Sequence, residues 1–225
     1  MERLTPKGEY KNIHTKDTDF SAKAVIIATG SRPSTLGVPG EEKFKGKGVS
    51  YCATCDGAFF RDAEIAVVGG GDSAIKETLF LTKFARKISV IHRRSELRAE
   101  KIIGEKARDN KKIEFIWDSV VEEIGGEKAV EYLNLRKVKG EERFQLKVEG
   151  VFVYIGNRPN SDFLKGVVEL DQKGYMKAGD STETSIPGIF AAGDVRSKLL
   201  RQVATAVGDG ATAAMAAEEY ISRTE

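Results

Sequence analysis

The chain has 225 residues, 40% hydrophobic and 31% charged, enough to bury a substantial core in one large or two small domains. Lys and Arg number 36 against 34 Asp and Glu, and the resulting charge of +2 is too balanced for nucleic acid as the main partner. No apolar run approaches the ~20 residues of a membrane helix, and the opening MERLTPKGEYKNIHTKDTDF lacks the apolar core of a secretion signal, so the expected setting is the cytoplasm, away from membranes.

In chain order, the first strong pattern is AKAVIIATGS at residues 22–31, a continuous apolar run ending at Gly30 as a buried strand meeting a tight turn does. RPSTLGVPGEEKFKGKG follows at residues 32–48, rich in Pro, Gly and charge, and reads as a linker.

The two cysteines of the chain come next, together in SYCATCDGAFF. A disulfide that staples a fold gains most by closing a long loop, so Cys52 and Cys55, two residues apart, read as working thiols. In Cys-X-X-Cys the sulfurs interconvert between dithiol and disulfide, and local hydrogen bonds make a thiolate available. The other readings are two unrelated buried cysteines or a zinc site. Zinc needs four ligands, and the only histidines, His14 and His92, are far apart. No metal is expected.

EIAVVGGGDSAIKETLFLTKFARKISVIHRR then parses as a strand at Ile65 to Val68, a glycine turn at Gly69 to Gly71, a helix to about Phe84 and a second strand at Ile88 to Ile91. Gly69-Gly70-Gly71-Asp72-Ser73-Ala74 fits the dinucleotide fingerprint: Gly69 makes the turn, Gly71 lets backbone approach a pyrophosphate, Ala74 lets the helix pack on the strand, and the helix start offers free N–H groups to phosphate. An NAD site places a carboxylate at the end of the second strand, whereas His92-Arg93-Arg94 stand here, with Arg98 one turn on. Guanidiniums there suit a 2′-phosphate, which favours NADPH; the bland alternative is a solvated basic helix start paired with Glu96 and Glu100.

EYLNLRKVKGEERFQLKVEGVFVYIG alternates apolar and polar residues about a charged turn, the pattern of an antiparallel hairpin feeding a buried strand. GIFAAGDV gives another strand end, and RQVATAVGDGATAAMAAEEYISR a small-residue helix expected to pack closely.

IIATGSRP, Cys-Ala-Thr-Cys-Asp, the glycine fingerprint, His-Arg-Arg, GNRPN, GIFAAGDV and RQVATAVGDGATAA, in this order, closely resemble the low-molecular-weight, bacterial and archaeal type of thioredoxin reductase over essentially the whole chain. The resemblance implies an α/β fold in which a three-layer NADPH-binding domain, residues 35–158 with the redox pair, is inserted between residues 1–34 and 159–225 of an FAD-binding domain. It implies electron flow from NADPH through FAD to Cys52/Cys55 and on to a thioredoxin-like protein disulfide. Cys52 would attack that disulfide, Cys55 would face the flavin and resolve the mixed disulfide, and Asp56 would shuttle a proton, a simple turn residue being the alternative for Asp56. For FAD the matching positions are Thr29, Gly30, Gly193, Asp194, Arg201 and Gln202. Gly156 is a further cofactor-contacting position. A homodimer is implied, as is rotation of the NADPH domain about hinges near Ser34 and Arg158.

Two departures stand out. The family's FAD domain opens with its own glycine fingerprint, and this sequence shows none, so the FAD domain is expected to be incomplete, exposing apolar surface at residues 22–28 and 188–193. Lys76 stands where an acidic residue is expected on the nucleotide helix. The rival function is a flavin-free NADP-binding module. A redox or metal-binding interaction protein and a peroxiredoxin-linked flavoprotein are further alternatives.

Overall fold

A computed structural model describes residues 2–224. In chain order it holds β1 (Arg3–Lys7), β2 (Tyr10–His14), β3 (Asp19–Ala22), β4 (Val25–Ile27), β5 (Ser31–Pro33), β6 (Val49–Ser50), α1 (Ala53–Asp56), β7 (Glu64–Val68), α2 (Asp72–Leu81) and β8 (Lys87–Ile91). There follow α3 (Lys101–Arg108), β9 (Ile113–Ile116), β10 (Ser119–Gly125), β11 (Tyr132–Lys137), β12 (Arg143–Lys147), β13 (Gly150–Val153), β14 (Asn157–Pro159), β15 (Ile189–Ala191) and α4 (Val203–Thr224). The chain divides into two compact units, one from Pro33 to Gly156, the other made of the chain up to Arg32 and from Asn157 on.

The Pro33–Gly156 unit is built on a five-stranded sheet in the order β6-β13-β7-β8-β9, its strands parallel throughout. A parallel sheet is covered on both faces, and the apolar runs of β7, β8 and β13 meet that demand by alternation. Ile65, Val67, Ile88, Val90 and Phe152 pack with Ala74, Ile75, Leu81 and Ala107 of α2 and α3. Ala66, Val68, Ile91, Val151 and Val153 pack instead with Val121, Ile124, Leu133 and Leu135 of an antiparallel meander, β10-β11-β12. The result is three layers: helices, parallel sheet, meander.

Two local readings are corrected. The nucleotide helix stops at Leu81, three residues before Phe84, because Lys83 N–H and Phe84 N–H tighten to i→i−3 bonds with Phe80 O and Leu81 O, and Lys112 Nζ caps Thr82 O and Ala85 O. Residues 32–48 are no free linker. Phe44 lies in the core, and Glu41, 4% exposed, accepts the Leu36 and Gly37 N–H groups and the Tyr51 hydroxyl at 2.8–2.9 Å. A Cβ at Gly40 would run into Ile124 O, so close packing of this segment requires glycine there.

The second unit carries the antiparallel ribbon β1-β2-β3, the parallel pair β4 and β15, and α4. Leu4, Ile27, Leu164, Met176, Ile189 and Val195 form its main core. Lys11, fully buried, donates from Nζ to Glu9 O, Lys23 O and Tyr220 Oη, which ties the ribbon to α4. The expected apolar exposure at residues 22–28 is seen at Ile26, 39% exposed, but β15 is completely buried because Ala213 and Ala217 of α4 pack on Phe190 and Ala192. The close packing of α4 is limited to these few small residues; Val203, Val207 and Met215 of the same helix face solvent.

Candidate functional site

Cys52 and Cys55 are joined as a disulfide across the first turn of α1, with Cα atoms 5.3 Å apart. This short helix follows β6, so the sulfurs emerge at the C-terminal end of the parallel sheet. Cys52 is the N-cap, and its Sγ accepts the Cys55 N–H at 3.2 Å. A donor in that position stabilises a thiolate at Cys52 once the disulfide is opened. Cys55 is the more exposed of the two. Exposure points to Cys55, whereas the amide donor points to Cys52 as the sulfur better able to carry charge.

Asp56, half-buried, is held by Ser50: Ser50 Oγ donates to Asp56 Oδ2 at 2.7 Å, and Cys52 N–H donates to the same Ser50 oxygen at 3.1 Å. On the other side, Ala53 N–H donates to Tyr154 Oη at 2.6 Å. Burial, then the nearby charges of Glu77 and Asp56, push the Tyr154 hydroxyl well above the usual phenol range despite the opposing bond from Ala53. Burial also raises the Glu77 carboxyl. Ser50, Tyr154 and Glu77 escape motif reading; the one sequence signal for Ser50 is its place two residues before Cys52.

Around the glycine turn, Gly69 N–H reaches Ile91 O of the neighbouring strand, and the φ of +151° at Gly69 is one that only glycine adopts freely. A Cβ at Gly69 would strike Tyr154 O and Ala74 Cβ. Gly70 leaves room for His92, whose ring lies against it, and Gly70 O accepts the Arg98 and Ala99 N–H groups. Gly71 caps α2 with no side-chain bond, leaving N–H groups of the first turn, with Asp72 and Ser73, for a ligand. Asp72 Oδ1 accepts Glu100 N–H at 2.8 Å. Arg93, Arg94 and Arg98 line one open pocket of about 410 Å³ with Ser95 and Glu96. The alternative pairing of these arginines with Glu96 and Glu100 is absent from the ion pairs among the described residues. His92 is buried, with Nε2 unpartnered; burial, then Arg98, Arg94 and Arg93, hold the ring below the usual imidazole range. Lys76 points to solvent, and Gly156, φ +127°, accepts Ser34 N–H through its oxygen.

The remaining residues lie in the other unit. Thr29 Oγ1 donates to Asn160 O, Asn160 Nδ2 to Thr29 O, and Asn160 N–H to Gly30 O, so the ATG turn and GNRPN are clasped together. Ala192 N–H bonds to Ile27 O, which sets the turn after β15 beside the one after β4, at the C-terminal ends of adjacent parallel strands. There Gly193, φ +73°, donates its N–H to Asp209 Oδ2, and Asp209 also holds Arg196 at 2.7 Å and Lys198 at 2.8 Å. Arg201 stacks on Tyr175 at 3.9 Å and donates to Asp194 O, while Gln202 N–H meets Thr205 Oγ1 at the start of α4. Asp194 Oδ1 is buried without a partner among the described residues. Asp209, which braces this turn, lies inside RQVATAVGDGATAA, but the motif alone shows no contact for it. Among the described residues no cluster of three or more His, Cys, Asp or Glu side chains could hold a metal ion.

Comparison with known proteins places these features in context. Residues 4–210 match the family described as pyridine nucleotide-disulphide oxidoreductase. The thioredoxin reductase of Peptoclostridium acidaminophilum is 50% identical over 220 residues, covering 95% of this chain and 70% of that protein. That of Bacillus subtilis (strain 168) is 45% identical, covering 96% and 69%. The crystal structure of thioredoxin reductase from Streptococcus pyogenes MGAS5005 superposes with a TM-score of 0.93 at 48% identity, over 99% of this chain and 73% of that one.

Proposed function

The chain belongs to the pyridine nucleotide-disulphide oxidoreductase family, and from that premise we propose that it reduces the disulfide of a thioredoxin-like protein with electrons from NADPH, FAD being the intermediate carrier. The observation that carries this reading is the Cys52–Cys55 disulfide with a tethered carboxylate at its side, in one compact unit with the glycine turn and three pocket-lining arginines.

When bound, NADPH supplies two electrons as hydride and FAD accepts them in a form that a disulfide can take up. The residues present fit NADPH and, for FAD, the part that the turns after β4 and β15 would contact. Gly69, Gly71, Asp72, Ser73 and Ala74 would hold the pyrophosphate side of NADPH, with Arg93, Arg94 and Arg98 on the 2′-phosphate and His92 as the neutral floor of the turn. Thr29, Gly30, Gly193, Asp194, Arg201 and Gln202 would hold FAD, the orphaned Asp194 oxygen being the feature that a hydroxyl-bearing ligand satisfies. The Pro33–Gly156 unit is accordingly read as the NADPH domain, its bounds two residues before the 35–158 expected from the sequence, and the chain up to Arg32 with that from Asn157 on as the FAD-binding part.

At the sulfurs, the Cys52 thiolate attacks one sulfur of the partner disulfide and the other leaves as thiolate, giving a mixed disulfide. Asp56 takes the proton of Cys55, whose thiolate attacks Cys52 Sγ and displaces the partner's second sulfur as thiolate; one proton returned by Asp56 and one from water leave the partner as a dithiol, and Cys52–Cys55 is restored. Phe59, 83% exposed a few residues beyond the pair, offers apolar surface to a docking protein. A homodimer and a cytoplasmic setting belong to this reading and rest on the resemblance; no helix among the described residues is long and apolar enough to cross a membrane.

The test is NADPH consumption dependent on both FAD and oxidised thioredoxin, abolished by Cys52→Ser. Nucleotide binding without any flavin binding or thioredoxin reduction supports a flavin-free NADP-binding module instead.

A further inference from the structure

Tyr154 is the residue in which the two chemical features of the Pro33–Gly156 unit meet. Its backbone follows β13: Tyr154 N–H donates to Val68 O at 2.8 Å, and its own carbonyl lies so close to Gly69 that a Cβ there would stand 2.4 Å from Tyr154 O. Its ring packs into the helix-side core with Ala53, Val67 and Ala74. Its hydroxyl oxygen receives the Ala53 N–H, the first amide of α1, from 101 residues away in sequence.

We propose that Tyr154 is a positioning residue of the redox turn, its hydroxyl holding the first turn of α1 in the geometry in which the two sulfurs pair, on a backbone anchored against the glycine turn. The role rests on the thiol reading given under Proposed function and deepens it. Ala53 is itself buried, so its N–H has no water to fall back on, and the phenol oxygen is its acceptor. In the dithiol form no covalent link holds Cys52 near Cys55. A first turn fixed by Tyr154 keeps the sulfurs close and raises their effective concentration. With the oxygen removed, the dithiol turn relaxes toward water, while the disulfide form is forced to bury an unpaired N–H. Both effects move the equilibrium toward the dithiol.

The experiment equilibrates the full chain with glutathione redox buffers, in which protein dithiol and glutathione disulfide exchange to give protein disulfide and two glutathione thiols. Tyr154→Phe keeps the ring and deletes the oxygen. The equilibrium constant for Cys52–Cys55 formation is expected to fall about three- to tenfold, a potential more positive by roughly 15–30 mV. Val121→Ala, in the other core cluster, is expected to lower stability without moving this constant. An unchanged constant in Tyr154→Phe overturns the role, as does an equal shift in Val121→Ala. Amide exchange in the parent protein gives a reading that needs no variant: Ala53 N–H is expected to exchange slowly, and exchange at the rate of an exposed amide overturns the proposal. A parent chain that reaches no thiol–disulfide equilibrium at all overturns the redox reading itself, and the role with it.

Discussion

Ser50 Oγ donates a 2.7 Å hydrogen bond to Asp56 Oδ2 and with the same oxygen accepts the Cys52 N–H at 3.1 Å. A hydroxyl has one proton, so this bond wins over the 3.4 Å approach of Ser50 Oγ to Cys52 O. The carboxylate that follows Cys55 in the chain is thereby held by the residue that also fixes Cys52. Asp56→Asn is expected to slow thiol–disulfide exchange of the pre-reduced chain by about 10²-fold near neutral pH, the scale of a lost general base. Ser50→Ala keeps the carboxylate but frees it, and should slow exchange several-fold. Stopped-flow exchange with a protein disulfide separates the two.

Arg93 and Arg94 border the same open pocket as Arg98. Replacing both with Ala is expected to weaken binding of a 2′-phosphorylated nucleotide about 10- to 100-fold, the worth of one or two charge-assisted hydrogen bonds. Binding of the 2′-hydroxyl counterpart should barely change. Calorimetric titration of both nucleotides checks the difference, and the weakening should shrink as salt is added.

His92 makes a pH prediction with a definite sign. Its ring is held neutral in the fold by burial and by Arg98, Arg94 and Arg93, whereas the unfolded chain takes up a proton near the ordinary value of 6.5. The unfolded state therefore binds more protons as pH drops through that value, and stability declines until the folded ring titrates too. Urea unfolding between about pH 7 and pH 5 should show this decline in the parent and a flatter dependence in His92→Asn.

Asp209 balances two largely buried cations, Arg196 and Lys198, and caps Gly193 N–H. Burial alone would raise its carboxyl, but the bonds from Lys198 and Gly193 and the two positive charges outweigh burial and hold it below the usual carboxylate range. Asp209→Ala leaves both cations uncompensated and should cost about 3 kcal/mol, read by urea unfolding of the unit that contains Gly193.

Much of this was legible in the sequence, for reasons that differ between segments. The strand, glycine turn and strand around Gly69–Gly71 stand where periodicity puts them, because a buried parallel strand and its turn are local patterns. The end of α2 falls earlier than periodicity puts it, and the Lys112 cap that follows comes from another element. Residues 32–48 looked loose because Pro, Gly and charge mark a turn-rich segment without showing that Phe44 and Glu41 turn inward. Cys52 and Cys55 announce themselves by spacing, and Asp56 through the family resemblance. Tyr154 does not, since it acts through one side-chain contact across the fold that no short motif encodes, and Asp209, although inside RQVATAVGDGATAA, shows its role only in its bonds to Gly193, Arg196 and Lys198.

The most direct test of the account is trapping. Cys55→Ser, mixed with an oxidised thioredoxin, should accumulate a stable mixed disulfide through Cys52, visible as a covalent adduct that a reductant releases. Cys52→Ser should accumulate none. Adduct formation through Cys55 in the second variant, with none in the first, would contradict the assignment of Cys52 as the attacking thiol.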